Sequence, residues 1–312
     1  MDNTVSYLAS VILNIKSWRA FLGSNRLLIP ESVMANRNNI FVSTRSFRLT
    51  EKYIAQWKKF LQNDKIKTTD PYSFHWPAMM KFYIRELLHN LKVSNIRVLH
   101  IGHEAEITGN YTPGKESVYK NRNRLKDICL LKKRCAVLVT ESFVEDKDSN
   151  IIFHATDYFH VADIPDNDFK ILASSEFPAN SSLKFLNTGF RMREQKFKDC
   201  GKGYKAVNYY FTANMCLRFG LLAGAISLHH QFRLPTRLIY NEMPYLQGMC
   251  TGNVVLSLLT HGLNKNITKI NIYFNNKLYF PQSVELRYNN RHFELYDEKK
   301  IIVAFGNINT AP

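Results

Sequence analysis

Three groups of residues in this 312-residue chain carry side chains able to move protons, attack carbonyls or bind cations. One is Ser227-Leu228-His229-His230, which closes the Gly- and Ala-containing stretch from Arg218. A second is Gln247-Gly248-Met249, and a third is Leu99-His100-Ile101-Gly102-His103-Glu104. Adjacent histidines such as His229 and His230 cannot point the same way from a strand or a helix, and no carboxylate or third histidine stands at ligand spacing, so no metal site is expected there. Ser227 lacks the Gly-x-Ser-x-Gly elbow of a hydrolase nucleophile. On a strand, alternation would turn His103 away from His100. The five cysteines, Cys129, Cys135, Cys200, Cys216 and Cys250, form no CxxC pair and no metal-ligand spacing. A reduced, cytoplasmic setting with no metal and no cofactor is the simplest account of them.

The elements that must hold these residues fall into two halves of similar rhythm. In the first, Ala78 to Leu88 is apolar nearly all round, as a helix enclosed by a sheet should be. Strands are predicted over 97–107, 135–143 and 151–161, rich in β-branched and aromatic residues, with a hairpin turn at Glu145 to Asn150. Residues 164–203 are polar and contain Pro165, Pro178 and a basic run from Arg191 to Lys198, and read as a linker. A strand over 208–212, a helix starting near Gly248 and strands over 267–274, 283–288, 292–296 and 301–305 complete the second half. Two helices each followed by antiparallel strands make an α+β fold. The domain boundaries expected are 1–163 for the first half and 204–312 for the second. Thr4 to Leu22 is apolar but interrupted by Asn14, Lys16 and Arg19, which predicts a docked amphipathic helix and no membrane span, with attachment to a membrane surface as the alternative.

The stretch from Arg218 to His230, with Gln247-Gly248-Met249 following Ala223 at a distance of 247 − 223 = 24 residues, resembles the signature of the MaoC-like hydratase/dehydratase family. Looser matches are Pro71 to Met80, Leu99 to Ile107 and Lys277 to Leu286, in the order found in fused members of that family. The resemblance implies a double hotdog, two modules each with a central helix wrapped by a curved antiparallel sheet. It also implies hydration of a 2-enoyl thioester, or dehydration of a (3R)-hydroxyacyl thioester, carried by CoA or an acyl carrier protein. That reaction needs a carboxylate and an imidazole to handle water and a proton, and a backbone amide to polarise the thioester carbonyl.

By the same resemblance, the family Asp falls on Ala225 and the family Asn on Ser227, while the His is kept as His230. Gln247 stands for the second-motif His, and Gly248 and Met249 are retained. Substrate binding is thus expected at Gln247, Gly248, Met249 and Ser227, with His230 the remaining catalytic candidate. Ala225 cannot transfer a proton, and no Asp or Glu occurs between Gly201 and Tyr240. Weak or lost hydratase activity is expected, with a non-catalytic acyl-thioester binder, or a structural partner of an active paralogue, as the alternative. His100, His103 and Glu104, in the half without the signature, are expected to be surface or structural residues. Met79, Met80, Phe82, Tyr83 and Leu87 are expected in the core before an acyl tunnel, and Met215 and Cys216 as adaptable filling near the motif.

Lys and Arg outnumber Asp and Glu by 42 to 26, a net charge of +16, which suits anionic partners. Coenzyme A and acidic carrier proteins are among them. Nucleic acid is not expected, because no zinc-finger spacing, RNA-binding motif or phosphate loop accompanies the charge. Lys115, Lys120, Arg122, Arg124 and Lys126 are expected on a solvated loop, with a docking rim the alternative. Whether the chain pairs with a second copy or with a paralogue stays open.

Overall fold

The computed structural model describes residues 42–61, 98–107, 117–131, 134–162, 164, 203–223, 230 and 243–311. Ten strands form one continuous sheet: β1 (Val42–Leu49), β2 (Val98–Ile107), β3 (Ser117–Leu131), β4 (Cys135–Glu145), β5 (Ile151–Val161), β6 (Lys205–Phe211), β7 (Ile267–Phe274), β8 (Gln282–Tyr288), β9 (His292–Tyr296) and β10 (Ile302–Thr310). Three helices accompany these ten strands among the described residues: α1 (Glu51–Leu61), α2 (Met215–Ala223) and α3 (Gly248–Leu263).

The strand order is β1-β3-β4-β5-β2-β7-β10-β9-β8-β6. Each half therefore repeats one pattern: its first strand, then its third, fourth and fifth, then its second, and the two second strands meet at the middle. That seam is the antiparallel pair β2–β7, running from Gly102 opposite Tyr273 to Glu106 opposite Lys269. A helix follows the first strand in each half, α1 after β1 and α2 after β6. This is the α+β arrangement expected of two fused hotdog modules.

Local chemistry accounts for these elements. Thr50 caps α1, its Oγ1 accepting the Tyr53 N–H at 3.2 Å, and Glu51 in the first turn with Lys58 and Lys59 in the last complements the helix dipole. The β4–β5 hairpin turns on Asp146, whose Oδ1 accepts the N–H groups of Asp148 and Asn150, both at 2.9 Å. Strand β5 buries both faces along most of its length, as an interior strand covered on each side must. The core gathers Trp57, Phe60, Phe211, Met215, Phe219, Leu259 and Phe293, so α1 of the first half and α2 of the second share it. Trp57 packs edge-on against Phe219 at 5.9 Å between ring centroids. Met215 and Cys216 are both buried in that core, in keeping with the filling role expected of them.

Where the sequence predicts strands over 97–107, 135–143, 151–161, 267–274, 283–288, 292–296 and 301–305, the structure places β2, β4, β5, β7, β8, β9 and β10. The strand expected over 208–212 is β6, shifted toward its start. Strand β3 corrects the loop expected around Lys120 to Lys126. Its cations alternate with buried residues, so that Lys120, Arg122 and Arg124 share the exposed face while Tyr119, Asn121, Asn123 and Leu125 point inward. Glu145 pairs with Lys120 and Arg122, and Glu141 with Arg124 and Lys126, which turns a charge run into a cross-strand ion-pair ladder. The predicted helices at 4–22 and 78–88, Lys115, and the linker from 165 to 202 lie outside the described residues.

Candidate functional site

Helix α3 is the central helix of the second half and starts at Gly248, as the sequence suggested. Gln247 is its N-cap, in extended conformation and without a side-chain capping bond. The first bond of the helical ladder runs from Thr251 N–H to Gln247 C=O at 3.0 Å, so the amides of Gly248, Met249 and Cys250 precede it. Such amides carry the positive end of the helix dipole and suit a developing oxyanion. A side chain at position 248 would crowd this point: a Cβ there would lie 3.0 Å from the Phe274 ring and 3.2 Å from His100 Nδ1. Glycine is what allows β2 of the other module to approach.

His230 meets the segment that leads into α3. Its Nδ1 lies 2.8 Å from the Tyr245 carbonyl, three residues before Gly248. A carbonyl only accepts, so Nδ1 carries the proton and Nε2 is the basic nitrogen. Tyr245 packs edge-on against the imidazole with ring centroids 4.8 Å apart, and Lys277 Nζ stands 4.8 Å from the Tyr245 ring centre. The Tyr245 carbonyl also takes a long contact from Cys216 Sγ at 3.9 Å. Burial pushes the Cys216 thiol up to about 12 and holds Cys250 well above its ordinary value, which removes both as thiolate nucleophiles. Met249 packs against the core from the first turn of α3, and its carbonyl accepts Asn253 Nδ2 at 2.8 Å. Ala225 and Ser227 lie outside the described residues.

The largest departure from the sequence expectation is on β2. The pairing of β2 with β5 slips between His100 and Gly102, leaving Ile101 as an extra residue in a β-bulge. Plain alternation would send His100 and His103 to opposite faces; the bulge returns both to the same face. His100 stands opposite Phe159 and His103 opposite Asp157, which occupy one face of β5. Asp157 Oδ1 is 2.8 Å from His100 Nε2 and 2.7 Å from His103 Nδ1. The side chains of Asp157 and His103 are 0% and 1% exposed, whereas His100 keeps 8%. These are not surface residues.

Burial pushes the Asp157 carboxyl up, but the charge of His103 and the hydrogen bonds of both imidazoles outweigh it and bring Asp157 down to about 2. An ionised carboxylate only accepts, so His100 Nε2 and His103 Nδ1 are the donors. In its neutral form His100 then has Nδ1 as its basic nitrogen, the atom facing Gly248. The ring stacks on Phe159 at 4.7 Å and leans on Phe274 at 5.2 Å, which holds its plane. His100, His103 and Asp157 also offer three ligand atoms within 4.8 Å of one another, donors of the type that holds zinc or iron. The two contacts to a single carboxylate oxygen are those of a hydrogen-bonded triad.

On the opposite face, Glu104 Oε1 accepts the hydroxyls of Tyr158 at 3.2 Å and Tyr273 at 2.9 Å, tying β2 to both neighbours. Gly102 lies beneath those two rings, with 3.0 Å from its notional Cβ to Tyr273 and 3.2 Å to Tyr158. Glu104 is thus structural, as expected. The signals for the rest were a glycine inside a strand pattern, which marks a bulge, and a single carboxylate in the apolar run Ile151 to Val161.

No protein-family model matches the sequence, and no curated protein matches it in sequence. Solved structures do share its fold. The full-length peroxisomal multifunctional enzyme type 2 of Drosophila melanogaster aligns with a TM-score of 0.59 at 14% identity, over 86% of this chain and 48% of that one. A MaoC-like dehydratase of Phytophthora capsici aligns at 0.60 and 10% identity, over 87% and 96% of the two chains. A Mycobacterium tuberculosis protein described as a double hotdog aligns at 0.60 and 9% identity, over 89% and 97%. The chain therefore has the double-hotdog fold, the architecture it shares with MaoC-like dehydratases, and spans about half the length of the multifunctional enzyme.

Proposed function

We propose that this protein binds an acyl thioester, of CoA or an acyl carrier protein, with the thioester carbonyl at the start of α3, and that the usual Asp–His hydratase route is weak or lost. The observation that carries this reading is the position of Gly248. Its amide opens the central helix at the seam between the modules, with His100 on one side and the His230–Tyr245 contact leading into it. A site of this form polarises a carbonyl without any side-chain charge. The fold shared with MaoC-like dehydratases supports the substrate class, and a net charge of +16 supports an anionic carrier.

The reading also places modules at 1–163 and 204–312, joined by 164–203. Among the described residues, no helix is long and apolar enough to cross a membrane. The test is a thermal-shift series with acyl-CoAs of graded chain length, followed by a crotonyl-CoA hydration assay. Stabilisation that rises with acyl occupancy, with slow hydration, is the expected outcome. No stabilisation by any acyl-CoA at saturating concentration would refute it.

A further inference from the structure

We propose that His100 is the acid–base residue of this protein, oriented by Asp157 and supplied by the first module, so that the proton transfer lost at Ala225 is performed from across the seam. This rests on the acyl-thioester reading above. The Asp157 carboxylate accepts from His100 Nε2 at 2.8 Å and so fixes the tautomer in which Nδ1 is basic. Nδ1 lies 3.2 Å from the position a Cβ on Gly248 would take, beside the amides that would receive the thioester oxygen. Of the two imidazoles on Asp157, that of His100 is the less enclosed, at 8% side-chain exposure against 1% for His103, although its Nδ1 atom is itself buried against Gly248. His103 donates to the same oxygen at 2.7 Å and is a positioning residue, as is Asp157. Asp157 at 2.8 Å and His103 at 6.3 Å between ring centroids are titratable groups that face His100, and the apolar rings of Phe159 and Phe274 pack against its imidazole.

The step balances on the enoyl thioester and one water. His100 Nδ1 takes a proton from water as the water oxygen bonds to C3, and the C2–C3 π pair moves to give an enolate whose oxygen rests on the α3 amides. The imidazolium then returns the proton to C2, giving the 3-hydroxyacyl thioester and neutral His100. Asp157 stays ionised throughout and stabilises the transient imidazolium. No oxidant, reductant or metal takes part.

The test uses the full chain. Affinity for butyryl-CoA, which has no double bond to hydrate, and the rate of crotonyl-CoA hydration are measured for the wild type, His100→Gln and Asp157→Asn. Butyryl-CoA affinity should stay close to the wild-type value in both variants. Hydration should fall roughly a hundred- to ten-thousand-fold in His100→Gln, and Asp157→Asn should lower kcat without raising KM. Failure of the wild type to bind butyryl-CoA overturns the acyl-thioester reading. Binding without hydration, or hydration unchanged in His100→Gln, overturns the role of His100 and leaves binding standing. Should both variants fail to fold, wild-type protein is treated with diethyl pyrocarbonate. Inactivation tracking modification of His100, with protection by butyryl-CoA, upholds the assignment, and inactivation tracking another histidine overturns it.

Discussion

At the scale of single residues, the site depends on a carboxylate that sequence inspection passes over. Asp157 is the single carboxylate in a strand that otherwise holds Ile, Phe, His, Ala, Thr, Tyr and Val, and it is fully buried with two imidazoles donating to it. Its carboxyl stands lower in the folded state, at about 2, than its ordinary 3.8, so the pair contributes stability above pH 3.8 that is lost as pH falls through 2. The stability difference between wild type and Asp157→Asn should therefore shrink by roughly 2 kcal/mol on acidification from about pH 5 to about pH 2. Urea denaturation at a series of pH values measures it, and a difference that stays constant or widens would contradict the pairing. At Gly248 the sequence was more legible, since a glycine ahead of an apolar helical run already pointed to a helix start.

At the scale of elements, the β2 bulge decides which histidine does what. Ile101 packs with Cys129, Val137, Val139 and Tyr158 on one face of the sheet, and the extra residue turns His103 back toward Asp157. Deleting Ile101 takes out the extra residue and leaves His100, Gly102 and His103 consecutive, opposite Phe159, Tyr158 and Asp157 in plain alternation, so both histidines keep the face of Asp157. The expected result is retained crotonyl-CoA hydration with a lower melting temperature, because the small cluster around Tyr158 loses a member. Kinetics and a thermal melt on the deletion variant check this, and hydration falling to the level of His100→Gln would show that Ile101 is itself needed to position His100. Bulges are hard to read from sequence because one residue's slip reverses every later side chain without altering composition. Strand β3 was missed for a related reason: four cations in seven residues resemble a loop until Glu141 and Glu145 on the neighbouring strand are seen to meet them.

At the scale of the whole molecule, the two halves are joined through the β2–β7 seam and the packing of α1 on α2. Trp57 is fully buried between Phe60 and Phe219, the latter on a helix more than 150 residues later in the chain. Trp57→Ala should cost about 3–5 kcal/mol, as should Phe219→Ala, and the double variant should cost less than their sum because both changes open one cavity. Chemical denaturation of the three variants measures it. Strict additivity would mean that the two helices do not share a core.

The order of β-branched strands, the two-part rhythm, the start of α3 and the absence of an acidic residue between Gly201 and Tyr240 were written in the chain itself. They depend on neighbours close in sequence, and local pattern records them. The joining of the halves edge to edge, the meeting of His100 with Gly248 and the burial of Asp157 between two imidazoles were decided only by folding. Each brings together residues about fifty to one hundred and seventy positions apart, and no local propensity encodes which distant partner a side chain will face.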